Sequence, residues 1–242
     1  MDTVLPILLV ESRVVILSTV STAKASTGDA SAQRSRGRPA MPPDRIVDAA
    51  LELVDTQGAD ALSMRTLAQQ LNSGTATLYR HFANRSELVS HVVDRVFGEV
   101  HLDAAELAGQ SWQRSCEAVA HGMFAALNRH PNVARLLLDQ TPVGPNAMAI
   151  RETCLSMLLD GGFAPELVVR IYATLSRYVL GFGIQISGDP DSHAAHDAEA
   201  FHGVDPSDFP ATLSLADALP VPLDVEFSFG LDLLIKGLGQ IH

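Results

Sequence analysis

The stretch Gly74-Thr75-Ala76-Thr77-Leu78-Tyr79-Arg80-His81-Phe82, followed by Asn84-Arg85-Ser86, decides the reading of this chain. Leu78 and Phe82 stand four apart, so on a helix they share one face. That face has no polar content, while Thr75, Thr77, Tyr79, Arg80 and His81 occupy the other side. Hydroxyls, a guanidinium and an imidazole crowded into seven positions are suited to phosphates and base edges. The spacing predicts a short third helix over Thr75–Phe82, broken by Asn84-Arg85-Ser86. Before it, Asn72-Ser73-Gly74 makes a tight turn. Ser63 caps a second helix whose inner face is Leu67, Ala68 and Leu71. A first helix is opened by Pro42-Pro43-Asp44, carries the stripe Ile46, Ala49, Ala50, Leu53, Val54 and stops at Gly58. A long fourth helix begins near Ser86, with Leu88, Val92, Val96 and Val100 at helical spacing. Two short helices around a turn of about three residues form a helix-turn-helix arrangement.

Charge follows the same division. The 242 residues carry a net charge of −11, but residues 31–95 hold eight arginines against seven carboxylates. Residues 96–242 hold seven basic and eighteen acidic side chains. Phosphate attraction acts within about a Debye length of ~8–10 Å, so a near-neutral, arginine-bearing head can meet nucleic acid while an acidic body faces away. The chain is 47% hydrophobic and 19% charged, which excludes disorder throughout. Two cysteines, Cys116 and Cys154, exclude a disulfide-dense scaffold and a four-cysteine zinc site, and fit a reduced, cytosolic compartment.

Residues 4–20 are apolar, yet Glu11 and Arg13 interrupt them and Asp2 stands where a signal peptide wants a basic start. They read as a poorly ordered extension, or as the product of an upstream start, rather than an anchor. A Ser/Thr/Ala/Gly-rich linker over residues 21–35 leads to the basic arm Arg34-Ser35-Arg36-Gly37-Arg38-Pro39. Arg36 and Arg38 are expected to lie along phosphates or in a minor groove.

The runs Ala61-Leu62-Ser63-Met64-Arg65-Thr66-Leu67-Ala68, Gly74 to Phe82 with its Leu-Tyr-x-His-Phe core, and Asn84-Arg85-Ser86-Glu87-Leu88 resemble the DNA-binding domain of the tetracycline repressor family. The resemblance implies that Arg65 reads a guanine, and that Thr75, Ala76 and Thr77 touch bases and phosphates. It further implies that Tyr79, His81 and Arg85 dock on phosphates. Arg80 stands where these repressors often carry tryptophan, so phosphate contact is implied with different detail. Thr75 and Ala76 replace a glutamine and a proline, which implies an operator unlike the tetracycline operator.

The rest of the chain also reads as helices, over 111–129, 132–138, 146–160, the stretch after Pro165 to about 187, and 225–241. Residues 187–222, with five prolines, six aspartates and three histidines, read as a flexible acidic loop with one short helix near 208–218. The segments Ser111-Trp112-Gln113, Leu127-x-x-His130, Gly162-Phe163, Leu180-Gly181 and Phe229 to Ile235 resemble the C-terminal domain of the tetracycline repressor. An all-α fold of about ten helices follows: a flexible extension over 1–40, a helix-turn-helix head over 41–88 and an effector-binding and dimerisation body over 89–242. The resemblance implies a homodimer through the helices near 165–187 and 224–240, bound to a double-stranded operator and released by a small-molecule effector.

The departures matter for that effector. Where the tetracycline repressor seats a magnesium–drug chelate, the histidine position falls at Leu137, an asparagine position at Val119 and a glutamate position at Gln185. Only His101 matches. Leucine cannot ligate a hard cation, so the resemblance implies an effector other than a tetracycline–magnesium chelate. The implied pocket is lined by His101, Val119, Met123, Leu137, Cys154, Phe182 and Gln185. Enzyme classes find no footing: there is no Gly-rich phosphate loop and no Gly-x-Ser-x-Gly elbow. His193, His196 and His202 lie in a segment with no expected scaffold for a metal, so no cofactor, metal or membrane partner is expected.

Overall fold

Pro43 and Asp44 open α1 (Pro43–Gln57), where a proline needs no partner for its missing N–H and a carboxylate meets the positive helix end. The computed structural model describes residues 41–102, 107, 109–138, 140–186 and 190–241, with 190–195 as backbone only. The segment bearing Arg36 and Arg38 lies outside them. The apolar side of α1 buries Ile46, Val47, Ala50, Leu51, Leu53 and Val54. Gly58, at φ +88°, ends the helix by donating to Val54 O, a backbone state that an L side chain adopts only with strain.

Ser63 and Thr66 close a reciprocal cap on α2 (Met64–Gln70): Thr66 N donates to Ser63 Oγ at 3.1 Å and Ser63 N to Thr66 Oγ1 at 3.0 Å. Asn72, at φ +48°, turns the chain toward α3 (Thr75–Tyr79). The third helix is shorter than its sequence predicts. It ends at Tyr79, and Arg80, His81 and Phe82 form the turn that follows, with His81 N and Phe82 N both donating to Leu78 O. Phe82 still returns to the core, beside Leu78.

Asn84 caps α4 (Arg85–Phe97) by accepting from Glu87 N at 2.9 Å. This helix crosses from head to body and is buried along Leu88, Val89, Val92, Val93 and Val96. One continuous apolar core runs from Met41 in the head to Ile235 near the end of the chain. The body consists of α5 (Trp112–Arg129), a 3₁₀ turn over Val133–Leu137, α6 (Pro145–Asp160), α7 (Pro165–Ile186), α8 (Pro190–His202), α9 (Pro210–Ser214) and α10 (Leu223–Leu238). Ten α-helices and no strand are present among the described residues. α5 packs on α6, α7 and α10, and α4 packs on α1, α5 and α6.

Helix α8 corrects the expectation of a loop over 187–222. Its sequence, PDSHAAHDAEAFH, has no apolar stripe, so periodicity could not reveal it. Proline at its first position and alanines within supply local propensity instead. It packs on α9 and on a 3₁₀ turn at Ala216–Ala218. The short helix expected near 208–218 is present as α9 and that turn.

Candidate nucleic-acid interface and interior cavity

Arg65, Thr75, Ala76, Tyr79 and Arg80 are exposed on α2, α3 and the turn after α3, with Thr77 and His81 half-buried beside them. Tyr79 is 53% exposed, a large aromatic with no core to fill. Leu78 is the one buried residue of α3. The side chains of Arg65, Thr75, Thr77, Tyr79 and Arg80 make no hydrogen bond or ion pair among the described residues. Two guanidiniums of α4, by contrast, are committed. Arg95 pairs with Asp44 at 2.9 Å and Asp48 at 3.0 Å. Arg85, expected to dock on a phosphate, donates from Nε to Leu62 O at 2.7 Å and from Nη2 to Ala59 O at 3.3 Å. It braces the start of α4 against the loop before α2, and so sets the seat of α2 and α3.

Three polar junctions tie α1 and α4 to the rest of the body. Asp94 of α4 is 8% exposed and accepts from Ala147 N at 3.0 Å and Asn146 Nδ2 at 3.0 Å, satisfying donors in the first turn of α6. His130 bridges Asp55 of α1 at 2.8 Å and Glu99 at 2.9 Å, and Arg129 pairs with Glu99 at 2.9 Å. Burial acts to raise the Glu99 carboxyl, but the hydrogen bonds and charges of Arg129 and His130 outweigh it and hold Glu99 below the ordinary carboxylate range. The third junction is Gln140, between the 3₁₀ turn and α6. Its Nε2 donates to Ser86 Oγ at 2.6 Å and its Oε1 accepts from Ser90 Oγ at 3.0 Å, both on α4.

Gln140 also lies on the wall of a cavity of about 540 Å³ enclosed by α5, α6, α7 and the connection before α6. That volume falls within the ~300–1,000 Å³ of small-molecule sites. Phe97, the last residue of α4, reaches the same wall. Of the seven expected pocket residues, Val119, Met123, Leu137 and Cys154 line it. His101, Phe182 and Gln185 do not. His101 is exposed beyond the end of α4, with Nδ1 2.8 Å from Glu99 O. Phe182 joins Tyr178, Phe124 and Phe227 in an aromatic cluster that fastens α10 to α5 and α7; Phe124 and Phe227 stack with centroids 4.1 Å apart. Gln185, near the end of α7, is exposed.

The sequence reading missed Phe97, Gln140, Arg151 and Tyr172 on this wall. Arg151 left a signal: it interrupts the apolar face Ala147, Ile150, Cys154, Leu158 of α6, where a charge needs a reason. The two thiols on the wall, Cys116 and Cys154, are each pushed up to about 12 by burial, with Cys154 and Glu117 adding to the effect at Cys116. They are neutral, weakly polar wall atoms rather than nucleophiles. No cluster of three metal-ligating side chains occurs among the described residues.

Comparison with known proteins matches both halves. Residues 46–92 match the model of bacterial regulatory proteins of the tetR family, and residues 105–241 match the tetracyclin repressor-like C-terminal domain. An HTH-type transcriptional regulator of Saccharopolyspora erythraea is 36% identical over 149 residues, which cover 62% of this chain and 62% of that protein. The chain therefore spans less than two thirds of that relative in the match. The tetracycline repressor protein class E of Escherichia coli is 30% identical over 196 residues, covering 80% of this chain and 89% of the repressor. Among solved structures, the Streptomyces coelicolor TetR family protein ActR in complex with (S)-DNPA superposes with a TM-score of 0.74 at 32% identity, over 85% of this chain and all of that one.

Proposed function

Because this chain belongs to the tetR family of bacterial regulatory proteins, we propose that it is a cytoplasmic transcriptional repressor, not an enzyme, that a small molecule releases from its operator. The observation that carries this reading is the placing of α4. One end of the helix is braced by Arg85 against the carbonyls of Leu62 and Ala59, in the loop that leads into α2 and its exposed, uncommitted side chains. The other end puts Phe97 on the wall of the cavity.

In this reading Arg65, Thr75, Ala76 and Thr77 meet base edges and neighbouring phosphates in a major groove, and Tyr79, Arg80 and His81 meet phosphates. Arg36 and Arg38 add contacts from the arm. Arg85 serves chiefly as a brace, with any phosphate contact secondary to its carbonyl bonds. A homodimer presents two such heads about 34–36 Å apart to a pseudo-palindrome. Support for the dimer comes from the apolar side chains that α7 and α10 leave in water: Val169, Val225, Leu233 and Phe229, the last 65% exposed. α7 is long and apolar enough, by length and composition, to cross a bilayer. Its burial of Val168, Ile171, Val179 and Ile186 favours a place in a helical core instead.

The test is a mobility shift with the DNA upstream of the protein's own gene, at two salt concentrations, together with sites selected from random DNA. Tight, salt-sensitive binding that survives competitor DNA is expected. Arg65→Ala should weaken the specific complex about 10–100-fold, as loss of one bidentate base contact does. Tyr79→Ala should weaken it with little change in sequence preference. Binding to no DNA, or to all DNA alike, would sink the reading.

Gln140 supplies a route between the two sites. Its two hydrogen bonds hold α4 to the cavity wall, each worth ~0.5–1.5 kcal/mol. Together they match the ~1–3 kcal/mol of a typical coupling between sites. A ligand that takes the amide of Gln140 frees the DNA end of α4. Gln140→Ala is therefore expected to shrink the ratio of operator affinities without and with inducer by about 5–150-fold, from those coupling energies. An unchanged ratio in the same mobility-shift titration would remove Gln140 from the path.

A further inference from the structure

Residues 96–242 are rich in carboxylates, yet the cavity within them is not. Among the described residues that line it, the only charged side chains are Arg151 and Arg177, and no Asp, Glu or His joins them. Arg177 is exposed. Arg151 is half-buried, and its partners among the described residues are all neutral groups. Nε donates to Tyr172 Oη at 3.1 Å, Nη2 donates to Pro142 O at 3.0 Å, and Nη1 lies 3.0 Å from Met148 Sδ. The guanidinium carbon stands 5.7 Å from the centre of the Tyr172 ring. By contrast, Arg95 and Arg129 each meet a carboxylate.

A cation held by carbonyl, phenol and thioether is oriented without being neutralised. Water screens it while the cavity is wet. When an apolar molecule fills the space, that screening is lost, and a half-buried charge without a counter-ion is costly. A neutral or cationic occupant leaves this cost unmet, and a divalent cation finds two guanidiniums and no hard oxygen anion from the wall. An occupant that brings its own anionic oxygens meets the planar fork of Arg151 in charge-assisted hydrogen bonds.

Resting on the reading of the cavity as the effector site, we propose that the effector is an amphipathic organic anion, its apolar body among Phe97, Met123 and Tyr172 and its anionic group on Arg151. The apolar body then fills the space while the charge stays near the mouth, where Arg177 adds a second positive field.

A matched pair of fluorescent probes tests this on the full chain: anilinonaphthalene sulfonate, and N-phenyl-naphthylamine, which has the same ring system without the sulfonate. The sulfonate is expected to bind saturably, one per chain and at least about tenfold more tightly than the neutral amine, the scale of a charge-assisted contact. Arg151→Met should bring the two affinities together, while Arg114→Met, exposed on α5 and off the cavity, should leave their ratio unchanged. If circular dichroism shows Arg151→Met unfolded, Arg151→Lys replaces it, and part of the sulfonate preference should persist because the charge remains. Equal binding of the two probes to the unaltered chain, or a preference that survives Arg151→Met, would overturn the proposal. Displacement of operator DNA separates this from the broader reading. Arg151-dependent sulfonate binding that leaves the DNA complex intact keeps the anion site and removes its role as effector site. Release of DNA by the neutral amine, indifferent to Arg151, keeps the effector site and removes the anion.

Discussion

Phe82→Ala is expected to abolish operator binding and to lower the melting temperature of the whole chain, although Phe82 touches no DNA in the proposed complex. Its ring is 2% exposed, lies beside fully buried Leu78 and meets the edge of the His91 ring on α4 with centroids 5.3 Å apart. α3 has five residues, too few to stand alone as a helix. It is held because Leu78 and Phe82 bury in the core, α3 packing on α2 and Phe82 on His91 of α4. Removing a buried phenylalanine costs about 3–5 kcal/mol, against a total of ~5–15 kcal/mol for a typical domain. Because the core is continuous, the loss should lower the melting temperature by about 6–20 °C at this chain length. Calorimetry or a thermal circular dichroism scan reads the shift. A melting temperature within a degree or two of the unaltered chain would contradict the packing described above.

The second large effect belongs to Asp94 and Gly144. Asp94→Ala leaves the Ala147 N–H and the Asn146 amide unpaired in a buried place, at a cost of about 2–4 kcal/mol. Gly144 stands against the same carboxylate: a Cβ there would clash with Asp94 Cγ, Oδ1 and Cβ. With φ −67° the backbone of Gly144 suits any residue, so the clash alone demands glycine. Gly144→Ala should therefore cost about 1–3 kcal/mol, as overpacking does. The pair should not add. In Asp94→Ala/Gly144→Ala the carboxylate no longer meets the new methyl, although the Cβ at position 94 still stands 2.6 Å from it; only part of the clash is relieved, and the double variant should be more stable than the sum of single losses by about 0.5–1 kcal/mol. Urea denaturation of the four proteins measures this; strict additivity would show that the two residues do not share the contact.

The head was legible in the sequence because its determinants are local. Ser63, Asn72, Gly58, Leu78 and Phe82 each state a cap, a turn or a buried face within a few positions of themselves, and the structure places each accordingly. The end of α3 was misjudged because Arg80, His81 and Phe82 continue an acceptable helical pattern. The chain turns there through bonds that the pattern does not encode. The cavity was half legible. Val119, Met123, Leu137 and Cys154 lie on helices whose apolar faces converge. Phe182 was misplaced because an apolar residue on α7 can face either the cavity or α10, and only packing with Phe227 decides. Gln140 lies in a connection with no period to read. Its meaning depends on Ser86 and Ser90, more than fifty and exactly fifty positions earlier respectively, finding it in space. Arg85 was seen as a cation near DNA, whereas the carbonyls of Leu62 and Ala59 claim it first.

The way α3 is held has an evolutionary corollary. Its anchoring rests on Leu78 inside the helix and on Phe82 just past it, while Thr75, Ala76, Tyr79 and Arg80 face water. Exchanges at such surface positions typically change stability by within about 0.5 kcal/mol. Recognition can therefore drift without passing through unfolded intermediates. A duplicated copy of this chain could acquire a different promoter through a handful of neutral steps in α3, keeping its ligand input unaltered, and regulatory circuits could be rewired one short helix at a time.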